Sequence, residues 1–140
     1  METDIKNIQM APKGNEIVKP DYRVVLAGGR DFADYDLLRT SVLSFLGDKI
    51  KTRQIVVVSG HARGADSLGE RFAAELGFSC ELHEADWKAH GRAAGIIRNE
   101  QMATCSDALV AFWDGRSRGT KSMIDFARLY GLDVRVVNYS

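Results

Sequence analysis

Several features are scarce in this chain of 140 residues, and each scarcity excludes a class of protein. Two cysteines and two prolines are too few for a disulfide-stapled or proline-rich chain. Cys80 and Cys105 lack metal-ligand and redox spacing, so we interpret them as small apolar residues of a reduced protein. The histidines also lack metal-ligand spacing. The sequence therefore predicts no metal site, and no motif indicates a cofactor.

Long apolar runs are absent as well. No run approaches the roughly 20 residues that a membrane span needs, and the N-terminus lacks the apolar core of a secretion signal. We therefore expect a cytoplasmic protein with no membrane partner.

Net charge is the third missing feature. Lys+Arg and Asp+Glu both number 19, so the formal net charge is zero. A protein that coats nucleic acid usually has a net basic domain, which argues against nucleic acid as the main partner. The sequence is still compatible with a local basic cleft, because six arginines lie in or beside predicted loops. They are Arg30, Arg63, Arg92, Arg98, Arg116 and Arg118.

The composition, 45% hydrophobic and 27% charged, is that of one globular domain. Residues 1–20 are polar and without a sustained period, which predicts an N-terminal tail or arm, and residues 21–140 form the domain. Apolar strands are predicted at 22–27, 54–58, 79–83, 108–113 and 134–137. Helical patterns separate them, and one connection, 85–95, has no clean period.

Alternating strands and helices predict a three-layer, Rossmann-like α/β fold. The expected sheet is five-stranded and mostly parallel, with the order 3-2-1-4-5. In that order the first and fourth strands are neighbours, and ligands bind at the carboxyl ends of strands beside such a switch point. We therefore expect Gly28, Gly29 and Arg30 to face the 114–120 loop across one crevice.

The residue types at this edge favour an anionic ligand. Glycines allow close approach to the backbone, a helix start supplies free N–H groups, and arginine forks match phosphate. Each feature also has a plainer interpretation: tight turns at the glycines, an N-cap at Thr120, a favourable dipole interaction at Asp66 and core packing at Trp87. The predicted ligand-binding residues are Gly28, Gly29, Arg30, Asp31, Ser59, Gly60, Arg63, Gly64, Asp66, Asp86, Trp87, Arg98, Asn99, Gly115, Arg118, Gly119 and Thr120.

Four ordered motifs carry a family resemblance: GGRDF (28–32), SGHARGADSLGERFA (59–73), ADWKAHGRAAGIIRNEQM (85–102) and SDALVAF…GRSRGT (106–120). Together they resemble the small stand-alone proteins of the YspA, cpYpsA-related SLOG family, found in bacteria, phages and mobile elements. The resemblance spans residues 22–138. It implies a Rossmann-like fold and a nucleotide or a nucleotide-derived ligand.

The chain is also distantly similar to the LOG phosphoribohydrolases, which release a base from a nucleoside monophosphate. Arg98, Met102, the SDA at 106–108, Gly115, Gly119 and Thr120 fit their pattern. Met123 stands where that pattern has its catalytic glutamate, and a thioether cannot serve as a general acid or base. The similarity therefore leaves hydrolysis undecided.

The leading hypothesis is a nucleotide-binding module with phosphate on the Gly28–Gly29 and Gly119–Thr120 backbones. Arg98 and Arg118 would be counter-charges, with Asp86, Trp87 and Asn99 at the base or ribose end. The first alternative is a hydrolase that cleaves an N-glycosidic or phosphate bond, with Arg98 and Asp86 as catalytic candidates and Asp31, Asp66 or Asp114 as other carboxylates. The second is a single-stranded nucleic-acid binder, since one SLOG relative processes DNA. A homo-oligomer is a further expectation from the resemblance.

Overall fold

The computed structural model describes residues 19–140. Residues 1–18 of the predicted tail therefore lie outside the described residues. The strands are β1 (Asp21–Gly28), β2 (Gln54–Ser59), β3 (Ser79–Leu82), β4 (Ala108–Trp113) and β5 (Asp133–Asn138). The helices are α1 (Tyr35–Leu46), α2 (Lys49–Thr52), α3 (Ala65–Leu76), α4 (Trp87–His90), α5 (Ala94–Thr104) and α6 (Arg118–Leu129), with a 3₁₀ turn at Gly91–Ala93.

The five strands form one sheet in the order β3-β2-β1-β4-β5, and every pair is parallel. This confirms the predicted α/β class and strand order. β1 is the central strand, and its last residue Gly28 is in register with Phe112 of β4. The carboxyl ends of β1 and β4 thus lie side by side, where the direction of sheet growth reverses.

Alternate residues of β1 enter two cores, because successive side chains of a strand point to opposite faces. Val24 and Leu26 pack with Phe72 of α3 on one face. Val25 packs with Met102 of α5 on the other. The sheet is therefore covered on both faces, which explains why its central strands are continuous apolar runs.

The ends of α1 follow the sequence signals. The Asp34 carboxylate accepts the Leu37 N–H at 3.0 Å as the N-cap, and Gly47 ends the helix with φ at +52°. Among residues 19–140, no helix has the length and apolarity to cross a bilayer.

Three local expectations need correction. The 85–95 connection is largely helical, with α4 and the 3₁₀ turn leading directly into α5. The short helix α2, between α1 and β2, was not predicted. Tyr130, expected to face inward, is 44% exposed at the end of α6, and its hydroxyl donates to the Glu100 carboxylate at 2.6 Å. A polar partner at the surface thus replaces burial for that ring.

Candidate ligand-binding cleft

A cleft of about 590 Å³ opens at the switch point between β1 and β4. Its walls come from the turn after β1, the start of α3, the α4–α5 region and the first turn of α6. The predicted glycine turns after β1 and β4 do line the same crevice.

The first glycine corner, Gly28–Gly29, is closed by protein atoms. A Cβ on Gly28 would lie 2.4 Å from the Phe112 carbonyl oxygen, and one on Gly29 would lie 1.9 Å from the Tyr139 hydroxyl. The Gly29 N–H donates to the Phe112 carbonyl at 3.1 Å, and the Gly29 carbonyl accepts the Ala65 N–H at 3.1 Å. The expectation that phosphate is held on this backbone is corrected for Gly29, because its N–H already has an acceptor.

The second corner, at the start of α6, is open. A Cβ on Gly119 would meet no atom of residues 19–140 within 4 Å. Ser117 is the N-cap, and Thr120 therefore does not have the capping role of its plainer interpretation. The Ser117 hydroxyl accepts the Thr120 N–H at 3.3 Å and the Thr120 hydroxyl at 3.1 Å. Within the described part of the chain, the Arg118 and Gly119 N–H groups have no acceptor. Two donors thus remain free at the positive end of a helix dipole.

Asp114 shapes the turn that leads into this corner. Its carboxylate accepts the N–H groups of Arg116 and Ser117, each at 2.8 Å. These bonds lower the pKa of Asp114 below its usual range, the Ser117 N–H contributing most. Asp114 therefore stays ionised and holds the backbone of the turn, which frees the next N–H groups to face the cleft.

Arg98 on α5 crosses the cleft floor. Its Nη1 donates to the Gly60 carbonyl at 2.5 Å and to the His83 carbonyl at 3.4 Å. Its Nε donates to the Asn99 side-chain oxygen at 3.1 Å, and Asn99 Nδ2 donates to the Gly119 carbonyl at 3.2 Å. Burial lowers the pKa of Arg98, although a guanidinium stays charged at neutral pH. Asn99 thus couples the floor arginine to the open corner.

Asp66 lies at the start of α3 and is only 6% exposed. One of its oxygens accepts the Ala62 N–H at 3.2 Å. Burial raises the pKa of Asp66 to about 6, and the hydrogen bond from Ala62 and the charge of Arg98 oppose that shift. A buried carboxyl that titrates near neutrality inside a cleft is typical of functional sites.

Two other predicted residues, Ser59 and Gly60, lie outside the cleft lining and contact protein atoms. The Ser59 hydroxyl is fully buried, donates to the Glu70 carboxylate at 2.8 Å and accepts the His61 N–H at 3.0 Å. A Cβ on Gly60 would lie 2.7 Å from Arg98 Nη1. Both residues are therefore committed to protein contacts, and Gly60 leaves the room that the Arg98 head group occupies.

The rim combines exposed apolar surface with arginines. Trp87 is 56% exposed and Ile96 53% exposed, and both line the cleft beside Arg30 and Arg92. Asp86, by contrast, lies outside the lining and accepts the Ala89 N–H at 3.0 Å as the N-cap of α4. Its structural role accounts for its position without a ligand.

Eleven predicted residues line the cleft together: Gly28, Gly29, Arg30, Asp31, Asp66, Trp87, Arg98, Asn99, Arg118, Gly119 and Thr120. Six others do not: Ser59, Gly60, Arg63, Gly64, Asp86 and Gly115. Ten further residues line the cleft that are not in the predicted ligand-binding set, although Asp114 is a candidate carboxylate of the hydrolase hypothesis. They are Ala27, Ala62, Arg92, Gly95, Ile96, Met102, Asp114, Ser117, Ser122 and Met123. Of these, Arg92 is one of the arginines in or beside predicted loops, and Met102 and Met123 occupy positions of the LOG pattern. Ala27 is apolar and carries no sequence signal of a site.

Of the residues that the structure describes, no histidine or cysteine lines the cleft. Side chains of metal-ligand type instead converge outside the cleft, at Glu81, His83 and Cys105. Among the described residues the cleft therefore offers arginines, helix N–H groups and carboxylates, which suit an organic anion rather than a transition metal.

A family model described as the YspA, cpYpsA-related SLOG family matches residues 22–90. The Gene 61 protein of Mycobacterium phage D29 is 39% identical over 120 residues, which cover 80% of this chain and 93% of the relative.

Two solved structures share the fold. DNA processing protein A (DprA) from Streptococcus pneumoniae superposes with a TM-score of 0.64 at 18% identity, over 87% of this chain and 51% of DprA. The chain thus spans about half the length of that structure. The structural-genomics protein TM1055 gives a TM-score of 0.56 at 20% identity, over 84% of this chain and 72% of TM1055. At these identities both likenesses show the fold alone.

Proposed function

Because the chain belongs to the YspA, cpYpsA-related SLOG family, we propose that its switch-point cleft binds a nucleotide or a nucleotide derivative. The observation that carries this proposal is the open corner at Gly119. There, two helix N–H groups without acceptors among residues 19–140 face a cleft lined by Arg98 and Arg118. This combination suits a phosphate group.

The phosphate end of the ligand lies at the first turn of α6. The Arg118 and Gly119 N–H groups donate to it, and the missing Cβ of Gly119 lets a phosphate oxygen reach the backbone. Arg98 supplies a second, partly buried charge from the floor. Charge-assisted hydrogen bonds at such a site are roughly twice as strong as neutral ones.

The base end lies at the rim. Trp87 and Ile96 expose apolar surface there, and an indole ring can stack on a nucleobase. Asp66, between the two ends, has a carboxyl group that suits a ribose hydroxyl. Base at Trp87, ribose near Asp66 and phosphate at Gly119 is the pose that we propose.

A second candidate function is hydrolysis of the N-glycosidic bond, and the pKa of Asp66 favours it. With a pKa of about 6, Asp66 is partly protonated near neutrality and could protonate the leaving base while water adds to the ribose carbon. Asp66 would then supply the acid that Met123, at the LOG glutamate position, cannot supply. Asp86 is the weaker carboxylate candidate, because it caps α4 outside the lining.

Thermal unfolding of the full chain with a ligand panel tests the binding proposal. The panel comprises inorganic phosphate, AMP, a cyclic nucleotide, ADP-ribose and a single-stranded oligonucleotide, the last because one fold neighbour is named a DNA processing protein. A nucleotide at a hundredfold excess over Kd should stabilise the fold by about 2.7 kcal/mol. Arg118→Ala should remove that shift, whereas Arg63→Ala, an arginine outside the lining, should keep it.

An equal loss of nucleotide-dependent stabilisation in Arg118→Ala and Arg63→Ala would count against the proposed phosphate position. A shift with the oligonucleotide alone would instead favour nucleic-acid binding. Hydrolysis is measured separately, as release of free base from nucleoside monophosphates. Asp66→Asn should abolish that release while nucleotide-dependent stabilisation persists, and absence of release from well-folded wild-type protein would reject the hydrolase.

A further inference from the structure

Three side chains of metal-ligand type meet near the free edge of the sheet, outside the cleft. Glu81 lies on β3, His83 follows that strand, and Cys105 lies between α5 and β4. One potential ligand atom from each lies within 4.8 Å of the other two. We call these three residues the edge cluster.

The fold explains why they meet. Glu81 and His83 are two positions apart on an extended segment, so their side chains emerge on the same face. The His83 N–H donates to the Ser59 carbonyl at 2.8 Å, which continues the pairing with β2 beyond the end of β3. Cys105 reaches this face from the end of α5. Residues far apart in the sequence thus present an oxygen, a nitrogen and a sulfur to one point.

The geometry distinguishes this arrangement from a nucleophilic triad. In a triad, the base and the orienting carboxylate use different nitrogens of the imidazole ring. Here both partners face the same nitrogen: His83 Nε2 lies 2.5 Å from Glu81 Oε2 and 4.0 Å from Cys105 Sγ. Convergence of all three atoms on one point is the pattern of ligands around a shared cation.

We propose that the edge cluster binds one Zn²⁺ ion through Glu81, His83 and Cys105. Thiolate, imidazole and carboxylate together favour zinc over magnesium or calcium. Tetrahedral zinc would set the ligand atoms about 3.3–3.6 Å apart. The Glu81–His83 pair therefore has to open by roughly 1 Å and Cys105 has to approach by about half that distance.

Solvent reaches the cluster. The Glu81 and His83 side chains are 37% and 22% exposed, so an ion from solvent can reach them and water can occupy the fourth position.

Arg23 is the one cation of the described chain in contact with the cluster. Its Nη2 contacts the Glu81 carboxylate and lies 3.5 Å from Cys105 Sγ, and its Nε donates to the Cys105 carbonyl at 2.5 Å. These bonds orient two of the three ligands before metal arrives, as outer hydrogen bonds do in zinc sites. The Arg23 charge also opposes the ion, so we expect a labile site.

The test is a titration of chelator-treated full chain with Zn²⁺, followed by calorimetry, and with Co²⁺, followed by absorption. Cys105→Ser and His83→Gln remove ligands. Cys80→Ser is the matched control, because Cys80 is the other free cysteine and lies on the same edge strand. Circular dichroism of each variant without metal establishes that it is folded.

We expect one Zn²⁺ per wild-type or Cys80→Ser chain, and affinity at least roughly tenfold weaker in both ligand variants. Co²⁺ should give a thiolate charge-transfer band that Cys105→Ser lacks. Equal zinc affinity in wild type and His83→Gln, or a Co²⁺ complex without that band, would overturn the proposal. If either ligand variant does not fold, the wild-type band and stoichiometry still decide the result.

Discussion

The two glycine corners of the cleft occupy equivalent places, each after a central strand of the sheet, yet their glycines serve different purposes. At Gly28–Gly29 every absent Cβ is replaced by a protein atom, from Phe112, Ala65, Tyr139 or Asp31. At Gly119 no atom of the part of the chain that the structure describes comes within 4 Å of the Cβ position. Glycine thus permits tight packing at the first corner and leaves open space at the second.

The difference teaches that a glycine-rich turn is not by itself a phosphate site. At the first corner the Gly29 N–H and carbonyl are consumed by hydrogen bonds to β4 and α3. At the second, Asp114 and Ser117 satisfy the N–H groups of Arg116, Ser117 and Thr120. The N–H groups of Arg118 and Gly119 have no acceptor among residues 19–140.

Gly28→Ala should have the largest effect on stability, and it tests whether the first glycine corner is closed. The new Cβ would lie 2.4 Å from a backbone oxygen of β4 and 2.9 Å from Ala65 Cβ, neither of which can turn away. We expect a loss of at least about 3 kcal/mol in the free energy of unfolding, measured by urea denaturation. A loss below 1 kcal/mol, on the order of an ordinary surface substitution, would mean that the first corner is not closed.

Asp66→Asn tests whether the buried Asp66 carboxyl is shielded from water. The folded pKa of Asp66 is about 6 against 3.8 as its ordinary value, so the folded state binds the proton more tightly. Proton binding to Asp66 therefore stabilises the folded state. This contribution to the free energy of unfolding is full below pH 3.8 and is lost as pH rises through 6.

Replacing the carboxyl by an amide should therefore raise the free energy of unfolding at pH 7 by roughly 2–3 kcal/mol. The difference in the free energy of unfolding between Asp66→Asn and wild type should grow between pH 4 and pH 6. The other titratable groups are common to both proteins and cancel in this difference. Arg98 and Arg30 oppose the shift and Glu70 supports it. A difference that does not change with pH would show that water reaches this carboxyl.

Gly29→Ala tests which atom closes the first corner. Its Cβ would lie 1.9 Å from the Tyr139 hydroxyl, which donates to Asp31 at 2.7 Å. We expect a loss of about 2 kcal/mol. Tyr139→Phe alone should cost about 1 kcal/mol.

In the double variant part of the Gly29→Ala cost should disappear, because the nearest colliding oxygen is gone while Asp31 Oδ1, at 2.8 Å from the new Cβ, remains. The coupling energy from the four unfolding curves is the measurement. Simple additivity of the two losses would assign the closure to another contact.

Gly119→Ala should have the smallest effect on stability and complements Gly28→Ala. The added Cβ meets open space, and alanine favours a helix over glycine, so the free energy of unfolding should stay within about 1 kcal/mol of wild type or rise. Nucleotide-dependent stabilisation in the thermal assay should nevertheless fall. Unchanged ligand binding would indicate that the open corner is not the phosphate site.

Patterns local in the chain predicted the fold well. The five apolar runs, the Asp34 cap and the glycine at the end of α1 depend on neighbouring residues, so the sequence displays them. The helix α4 was missed because its four residues carry too little periodicity to signal a helix.

The sequence by itself determined the alternation of strands and helices, the order of the sheet and therefore the edge where the glycine turns meet, because apolar periodicity and crossover handedness leave few other solutions. Only the tertiary structure decided which glycine corner is open and that burial raises the pKa of Asp66 to about 6. The convergence of Glu81, His83 and Cys105 was also decided there. Those properties depend on atoms that are distant along the chain, and packing density, desolvation and side-chain convergence exist only once the chain has folded.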